Sequence, residues 1–208
     1  MLFLAIKLFS SLKPKKWAKL SPSQRLNVAQ NFENYYSRKF SRSRFRVLVD
    51  LTLDKTTMGL MEYDKKTIKI NPVLISNELS NNPFLLMSTL FHEGRHVYQK
   101  DCITNEMKQN GKLKKFSKTN RWQNSFGGYV DDEFYKYANQ SIELDAHDFA
   151  RKRMKKLKWL YKKHLAFINE LERLDNFSEN IKEGAKKKYG RFYKFKIARE
   201  NKKRNKNN

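Results

Sequence analysis

The stretch Phe91-His92-Glu93-Gly94-Arg95-His96-Val97-Tyr98 decides the fold of this chain. On a helix, residues four positions apart lie on the same face, so His92 and His96 can offer both imidazoles to one metal ion. Glu93 lies beside them, where its carboxylate can take a proton from a water molecule. A motif of five positions also arises by chance, so its meaning depends on the sequence around it.

The residues before the motif predict that its helix is buried. We expect the helix to begin at Pro83, because proline is favoured in the first helical turn. Apolar side chains then cover most faces of the helix: Phe84, Leu85, Leu86, Met87, Leu90 and Phe91. A helix that is apolar nearly all round lies inside a domain.

A helix and three strands are predicted further upstream. Ser21-Pro22 has the serine N-cap and first-turn proline of a helix start. Alternating and β-branched residues predict strands at 45–53, at 58–63 and at 67–70, the last ended by Asn71-Pro72. We expect the strand at 67–70 to be the edge strand above the metal helix, where an extended peptide can pair with it.

Downstream of the motif, region 103–130 is polar and contains glycines, so it is predicted to be a long loop. A helix is predicted to return at 133–156 and to continue beyond Trp159. This second helix is the expected source of another metal ligand.

A catalytic zinc site requires a third protein ligand and one open position. Glu143 is the best candidate, since it follows His96 by 47 residues, enough for a loop and a returning helix. Ala146 is small enough to let that helix approach the metal helix closely. Asp145 and His147 remain alternatives for the third ligand.

At these residues the chain resembles the gluzincin branch of HExxH zinc metallopeptidases, and in particular the ImmA/IrrE-type metallopeptidases. The later motif of that type carries a glutamate, a nearby alanine and a Phe-Ala pair, which is similar to Glu143, Ala146 and Phe149-Ala150. The resemblance covers about residues 60–155.

The resemblance implies a zincin fold, with Zn²⁺ held by His92, His96 and Glu143 and with Glu93 as general base in the hydrolysis of a peptide bond. Zinc in such a site lowers the pKa of a water molecule and polarises the scissile carbonyl. One departure is His147, because gluzincins often carry Asp or Asn four residues after the ligand glutamate. His147 can hydrogen-bond to a ligand histidine or take the place of Glu143.

Other polar positions are expected to have different roles. Gly94 and Arg95 are interpreted as variable positions without catalytic duty. Three side chains are candidates to stabilise the oxyanion, although core packing is the simpler interpretation of each: Tyr137, His147 and His164.

Cys102 is the single cysteine, which excludes an internal disulfide and favours a reducing compartment. It follows His96 by six residues, where metzincins carry their third histidine. Gln99 replaces the glycine that the metzincin motif needs, so we reject Cys102 as a ligand and predict a small core residue.

The net charge of +24 suggests a second class of function. Residues 151–208 hold 21 Lys and Arg against 6 Asp and Glu, which places +15 of the charge there. A basic cluster is interleaved with aromatic residues: Arg151, Lys152, Arg153, Lys155, Lys156, Lys158, Trp159 and Tyr161, with Tyr189, Phe192 and Tyr193 further on. The alternative function is therefore binding of nucleic acid or another polyanion, beside an inactive or structural metal site.

We therefore predict an α+β, zincin-like domain at 1–175, in which a small antiparallel or mixed sheet packs on the buried HExxH helix, accompanied by further helices. Residues 176–208 are expected to form a basic, partly disordered tail. Residues 1–6 are interpreted as an amphipathic packing segment, with a weak membrane-surface anchor as the alternative. The absence of a predicted transmembrane segment makes a cytoplasmic protein the expectation. The expected partner is a protein or peptide substrate, and the sequence does not indicate an oligomeric state.

Overall fold

The computed structural model describes residues 10–76, 82–113, 115, 117–128 and 140–174, with the side chains of the last range described as far as residue 162. The chain divides into two compact units, Met1–Lys156 and Leu157–Asn208. The predicted motif region at 60–155 lies within the first unit. The predicted amphipathic segment at 1–6 and the predicted tail at 176–208 lie outside the described residues.

In the described chain, three consecutive strands form a small sheet, with helices before and after them. In chain order its elements are α1 (Pro14–Trp17), α2 (Pro22–Lys39), β1 (Arg46–Val49), β2 (Gly59–Glu62), β3 (Thr67–Ile70), a 3-10 turn (Pro72–Leu74), α3 (Pro83–Asn110), α4 (Lys118–Gly127) and α5 (Ser141–Leu174). This is an α+β architecture with a mixed three-stranded sheet, as predicted. No helix in the described ranges is long and apolar enough to cross a membrane.

The predicted start of α2 is confirmed by its cap. Ser21 Oγ accepts a hydrogen bond from the Gln24 amide at 3.3 Å, and Gln24 Oε1 accepts one from the Ser21 amide at 2.9 Å. This reciprocal capping box satisfies two backbone donors that the first helical turn leaves unpaired. The helix it starts packs against both β1 and α3.

The sheet corrects one prediction, because β3 is its central strand. The strand order is β1-β3-β2, with β1 parallel and β2 antiparallel to β3. Thr67, Ile68 and Ile70 are buried, and a strand with so little exposed surface is flanked by neighbours on both sides. The edge strand that contacts α3 is β2.

The first predicted strand was too long at its C-terminal end. β1 ends at Val49 rather than at residue 53. Asp50 Oδ1 accepts hydrogen bonds from the amide and the hydroxyl of Thr52 at 2.9 and 2.6 Å, which turns the backbone out of the sheet.

The predicted loop at 103–130 was wrong over most of its length. α3 continues to Asn110 and ends at Gly111, whose φ of 67° is the left-handed conformation that glycine adopts readily. A further helix, α4, then begins behind the N-cap Ser117. Ile103 and Trp122 are buried together in one cluster. The burial of these few apolar residues therefore stabilises helices in a region whose composition is mostly polar. The start of the helix predicted at 133 lies outside the described residues, and the described helix begins at Ser141.

Aromatic contacts fix the position of α3 against α2. The ring of Phe91 lies 4.9 Å from the ring of Phe32 and 4.7 Å from that of Tyr36, both edge to face. All three residues are buried. The residue directly before the HExxH motif is therefore anchored in the core, and the prediction of a buried helix is confirmed.

Candidate metal centre

The two histidines of α3 meet one carboxylate of α5. His92 Nε2 lies 3.0 Å from His96 Nε2, as expected for neighbours on one helix face. Glu143 Oε2 lies 3.1 Å from His92 Nε2, and Glu143 Oε1 lies 3.3 Å from His96 Nε2. The side chain of Glu143 is 1% exposed, that of His96 8% and that of His92 14%, so His92 is the most exposed of the three.

These distances fit a small metal ion. Zinc bonds of about 2.0–2.1 Å in a tetrahedral arrangement place neighbouring ligand atoms about 3.3–3.4 Å apart. The distance of 3.0 Å between the two Nε2 atoms, and the distances of 3.1 and 3.3 Å from each of them to one Glu143 oxygen, come within a few tenths of an ångström of that value. Within the described parts of the chain, His92, His96 and Glu143 form the one group of three side chains that could hold a metal ion. Asp145, His147 and Cys102 are not members of that group.

The protonation of the cluster is set by its mutual contacts. Burial opposes a charge on His96, but hydrogen bonding to Glu143 and the negative charges of Glu93 and Glu143 outweigh it and raise the pKa of His96 above its usual value. Burial also opposes the charge on Glu143, yet hydrogen bonds from His92 and His96 hold the pKa of its carboxyl well below the usual range. Without metal, these shifts favour a buried ion pair between His96 and Glu143.

Asp145, an alternative third ligand in the sequence, faces cations instead of the imidazoles. Its Oδ2 accepts from Arg95 Nε at 2.7 Å, and its Oδ1 accepts from Lys118 Nζ at 2.8 Å. Burial raises the pKa of Asp145, but these hydrogen bonds and one from Gln99 dominate and lower it to about 2. The structure thus separates two carboxylates that are only two residues apart in the sequence.

His147, the other alternative, lies at the outer side of the cluster. It is exposed, and its ring centroid lies 4.5 Å from that of His92. Partial burial of its ring and electrostatic repulsion from the neighbouring His92 imidazole lower the pKa of His147. Of the other candidates for oxyanion stabilisation, Tyr137 and the side chain of His164 lie outside the described residues.

Glu93 is buried between α3 and the edge of the sheet. A Cβ atom added to Gly59 of β2 would lie 2.6 Å from Thr89 Cγ2 and 3.0 Å from Glu93 Cγ. Such contacts are too close for any other residue, so the glycine lets β2 run directly over the Glu93 side chain. This role of Gly59 was not predicted, although an isolated glycine in a strand is a signal of close approach.

Gly94 proves to have a packing role. A Cβ there would overlap the guanidinium of Arg42. Arg42 cannot simply move away, because its Nη1 and Nη2 bind the buried carboxylate of Glu33 at 2.6 and 2.5 Å. The glycine inside the HExxH motif therefore admits a buried ion pair against the helix backbone.

Arg95 joins α3 to its neighbours through aromatic rings. Its guanidinium carbon lies 4.5 Å from the ring centre of Tyr98, 4.9 Å from that of Phe149 and 5.5 Å from that of Trp122. Stacking on these faces and pairing with Asp145 hold α4 and α5 beside the motif. The sequence indicated only a variable position without catalytic duty at Arg95, and this structural role was not predicted.

Cys102 is a free, half-buried thiol. It packs against the cluster of Ile103, Trp122 and Ile142, in partial agreement with the predicted core position. Gln99, which sequence reasoning used only to reject a metzincin motif, is fully buried and lies 2.8 Å from His96 Nδ1. Its position three residues after His96 on one helix face was the available signal.

Comparison of the chain with protein-family models, with curated proteins and with solved structures finds no match. The resemblance to HExxH metallopeptidases therefore depends on the residues described above.

Proposed function

We propose that this protein is a zinc-dependent metallopeptidase with a zincin-like fold. The observation that carries the proposal is the convergence of three side chains: His92 Nε2 and His96 Nε2 lie 3.0 Å apart, and each lies within 3.3 Å of one oxygen of the Glu143 carboxylate. Two imidazoles and one carboxylate are a ligand set of catalytic zinc, which leaves a fourth position for water or substrate. His92 is the most exposed of the three, so a substrate would approach from its side.

The donor set favours zinc over the alkaline-earth ions. Mg²⁺ and Ca²⁺ prefer oxygen ligands, whereas imidazole suits zinc and other transition metals. When bound in such a site, zinc supplies a water molecule of lowered pKa and polarisation of the scissile carbonyl. The burial of Glu143 and His96 supports this assignment, because a low local dielectric strengthens the attraction between a cation and its ligands.

Glu93 is proposed as the general base. It is adjacent to His92 in the chain, buried, and close enough to His96 to raise the pKa of that imidazole. In peptide hydrolysis its carboxylate takes a proton from the attacking water and passes it to the leaving nitrogen. His147, whose ring lies 4.5 Å from that of His92, is proposed as a hydrogen-bond donor at the outer rim of the site.

The substrate is proposed to be an extended segment of a protein or peptide that pairs with β2. β2 is bonded to β3 on one side and has no strand on its other side within the described ranges. Gly59 brings this edge against Glu93, which replaces the predicted placement of the substrate beside Thr67–Ile70. Backbone pairing at an edge strand would align the scissile bond with little demand on side chains. The free Cys102 supports a reducing, cytoplasmic setting.

Cleavage of proteins by the zinc-loaded enzyme tests this function. Wild type and Glu93→Gln are incubated with a cell extract, and new peptide termini are identified by mass spectrometry. We expect Glu93→Gln to retain zinc but to lose activity by about 10²- to 10⁴-fold, the range for removal of a general base. Glu106→Gln, the same change on the same helix away from the cluster, is the matched control and should cleave like wild type. Equal cleavage by wild type and Glu93→Gln would contradict the proposal.

Binding of nucleic acid remains the second candidate. Four basic residues of α5 within the first unit are exposed: Arg151, Lys152, Lys155 and Lys156. Arg151 and Lys152 pair with Asp148 at 2.6 and 2.5 Å, which reduces their contribution to the positive field. Arg153 stacks on Phe40 and Phe149 and so belongs to the packing of the domain.

A salt titration tests this candidate. For the double variant Lys155→Glu/Lys156→Glu, we expect weaker binding to double-stranded DNA and a shallower dependence of affinity on salt, by about one unit of slope for each lost phosphate contact. Affinity and slope equal to those of wild type would exclude this surface as the contact.

A further inference from the structure

Gln99 is a buried amide whose polar atoms all have partners. Its side chain has no exposed surface. Nε2 lies 3.0 Å from the carbonyl oxygen of Ile142 and 2.9 Å from Asp145 Oδ2. Oε1 lies 2.8 Å from His96 Nδ1. One side chain therefore links a histidine of α3 to two positions of α5.

The partners of Nε2 decide which way the amide faces. A backbone carbonyl and an ionised carboxylate only accept hydrogen bonds, so the NH₂ group must point to Ile142 and Asp145. Oε1 then faces His96, and the imidazole must donate its hydrogen bond from Nδ1. With its proton on Nδ1, the neutral ring keeps its lone pair on Nε2, the atom that lies 3.0 Å from His92 Nε2 and 3.3 Å from Glu143 Oε1.

We infer that Gln99 is a positioning residue, which holds His96 in its ligating tautomer and fixes the turn of α5 that carries Glu143. The inference rests on the metal site proposed above. Ile142 directly precedes Glu143, so the bond to its carbonyl fixes the backbone beside the third ligand. Since histidine ligands generally donate from their second nitrogen to an oxygen acceptor, Gln99 Oε1 supplies that acceptor here.

An amide is required at this position because Asp145 is its neighbour. Arg95 and Lys118 keep Asp145 ionised, so Asp145 needs a donor on its Gln99 side. A glutamate at position 99 could still accept from His96, but it would bring a second carboxylate against Asp145 and would remove the side-chain donor that binds the Ile142 carbonyl.

Zinc affinity tests the role directly. The dissociation constant for Zn²⁺ is measured by competition with a chromophoric chelator for wild type, Gln99→Leu and Gln109→Leu. Gln99→Leu should bind zinc about 10- to 100-fold more weakly, the usual effect of removing the partner of a ligand histidine. Gln109 lies on the same helix and is exposed, so Gln109→Leu controls for the change of side chain and should match wild type.

Exchanging the amide of residue 99 and the carboxylate of residue 145 distinguishes a positioning role of Gln99 from a role in packing alone. The substitution Gln99→Glu should weaken zinc binding, and the added change Asp145→Asn should restore part of the affinity by returning an amide donor to the pair. Partial rescue is not expected of a residue that only fills space. If Gln99→Leu does not fold, this pair of variants decides the question.

The position of the imidazole proton gives an independent measurement. In zinc-loaded wild type, ¹⁵N NMR should find the His96 proton on Nδ1 and protected from exchange. Protection should be lost in Gln99→Leu. If wild type and Gln99→Leu bind zinc with equal affinity, the role of Gln99 is overturned while the metal site stands. The same holds if Asp145→Asn does not restore zinc affinity to Gln99→Glu. Absence of zinc binding by wild type would overturn the metal site and this role together.

Discussion

The two sides of α3 are held in place by different kinds of contact. The side towards α2 is packed with aromatic and aliphatic residues, among which Phe91 contacts Phe32 and Tyr36. A buried charge pair on this side, Arg42 with Glu33, is bidentate and complete. The side towards α5 combines apolar packing with polar contacts, in which two imidazoles, an amide and a guanidinium each meet a carboxylate of the neighbouring helix.

The difference shows where the protein depends on a metal ion. The α2 side is stabilised by burial of apolar surface and by a pair whose charges cancel, so it needs no further partner. The α5 side brings two imidazoles and a carboxylate within 3.3 Å of one another, an arrangement that gains from a cation. Disturbance of the first side should therefore affect folding, and disturbance of the second should affect zinc binding.

The largest expected effect comes from breaking the buried pair on the α2 side. Arg42→Met leaves the Glu33 carboxylate buried without a countercharge, which should lower the free energy of unfolding by about 3–5 kcal/mol. Urea denaturation should show the same loss with zinc and with a chelator, because this pair lies on the side away from the proposed ion.

Lys65→Met is the matched control for that variant. It breaks an ion pair with Glu62, but the Lys65 side chain is 71% exposed, so the loss should stay below about 1 kcal/mol. Equal losses in Arg42→Met and Lys65→Met would refute the importance assigned to burial.

A smaller effect is expected at Gly94. Replacing glycine by alanine inside a helix normally stabilises it by about 1 kcal/mol. At Gly94 the added methyl group meets the Arg42 guanidinium, so we expect a loss of about 1–3 kcal/mol instead. Gly127→Ala has open space around its new methyl group and should be neutral or slightly stabilising. Thermal unfolding of both variants checks the contrast, and a stabilised Gly94→Ala would contradict it.

The smallest expected effect is a pH dependence of stability that arises from His96 and Glu143 on the α5 side. In metal-free protein, the raised pKa of His96 means that its charge stabilises the fold fully below about pH 6.5, and this contribution is lost as the pH rises through the folded value. The lowered pKa of Glu143 stabilises the fold above about pH 4.5 and is lost only as the pH falls towards the folded value. Stability from this pair is therefore greatest between those two values.

Urea midpoints from pH 5 to 9 in the presence of a chelator measure this dependence. In Glu143→Gln, the urea midpoint should decline less steeply above pH 6.5 than it does in wild type. Saturating zinc should reverse the trend in wild type, since the metal binds unprotonated imidazoles. A decline that persists unchanged in Glu143→Gln would show that another group causes it.

Local patterns were sufficient to predict the capped start of α2, the three strands and the buried helix that begins at Pro83. Each depends on short-range rules of capping and periodicity, which operate within one turn or one strand. The order of strands did not follow from those rules, because Thr67–Ile70 became central through pairing with β1 and β2. The helix at Lys118–Gly127 was missed because the burial of Trp122 depends on residues from α3 and α5.

The candidate ligands could be named from the sequence, but their surroundings could not. Glu143 and Asp145 both carry a carboxylate and are two residues apart, and only the packing of α5 shows that one faces imidazoles and the other faces Arg95. Gly94 and Gln99 had no evident partners in the sequence, since Arg42 and Ile142 are distant along the chain.

The most direct test of the metal site is the zinc content of wild type, Glu143→Ala and Asp148→Ala after equilibrium dialysis against buffered zinc. Both substitutions remove a carboxylate from α5, but Asp148 pairs with the surface cations Arg151 and Lys152. We expect about one zinc ion per chain in wild type and in Asp148→Ala, as three protein ligands and one ion require, and little or none in Glu143→Ala. Equal zinc content in Glu143→Ala and wild type would contradict the site.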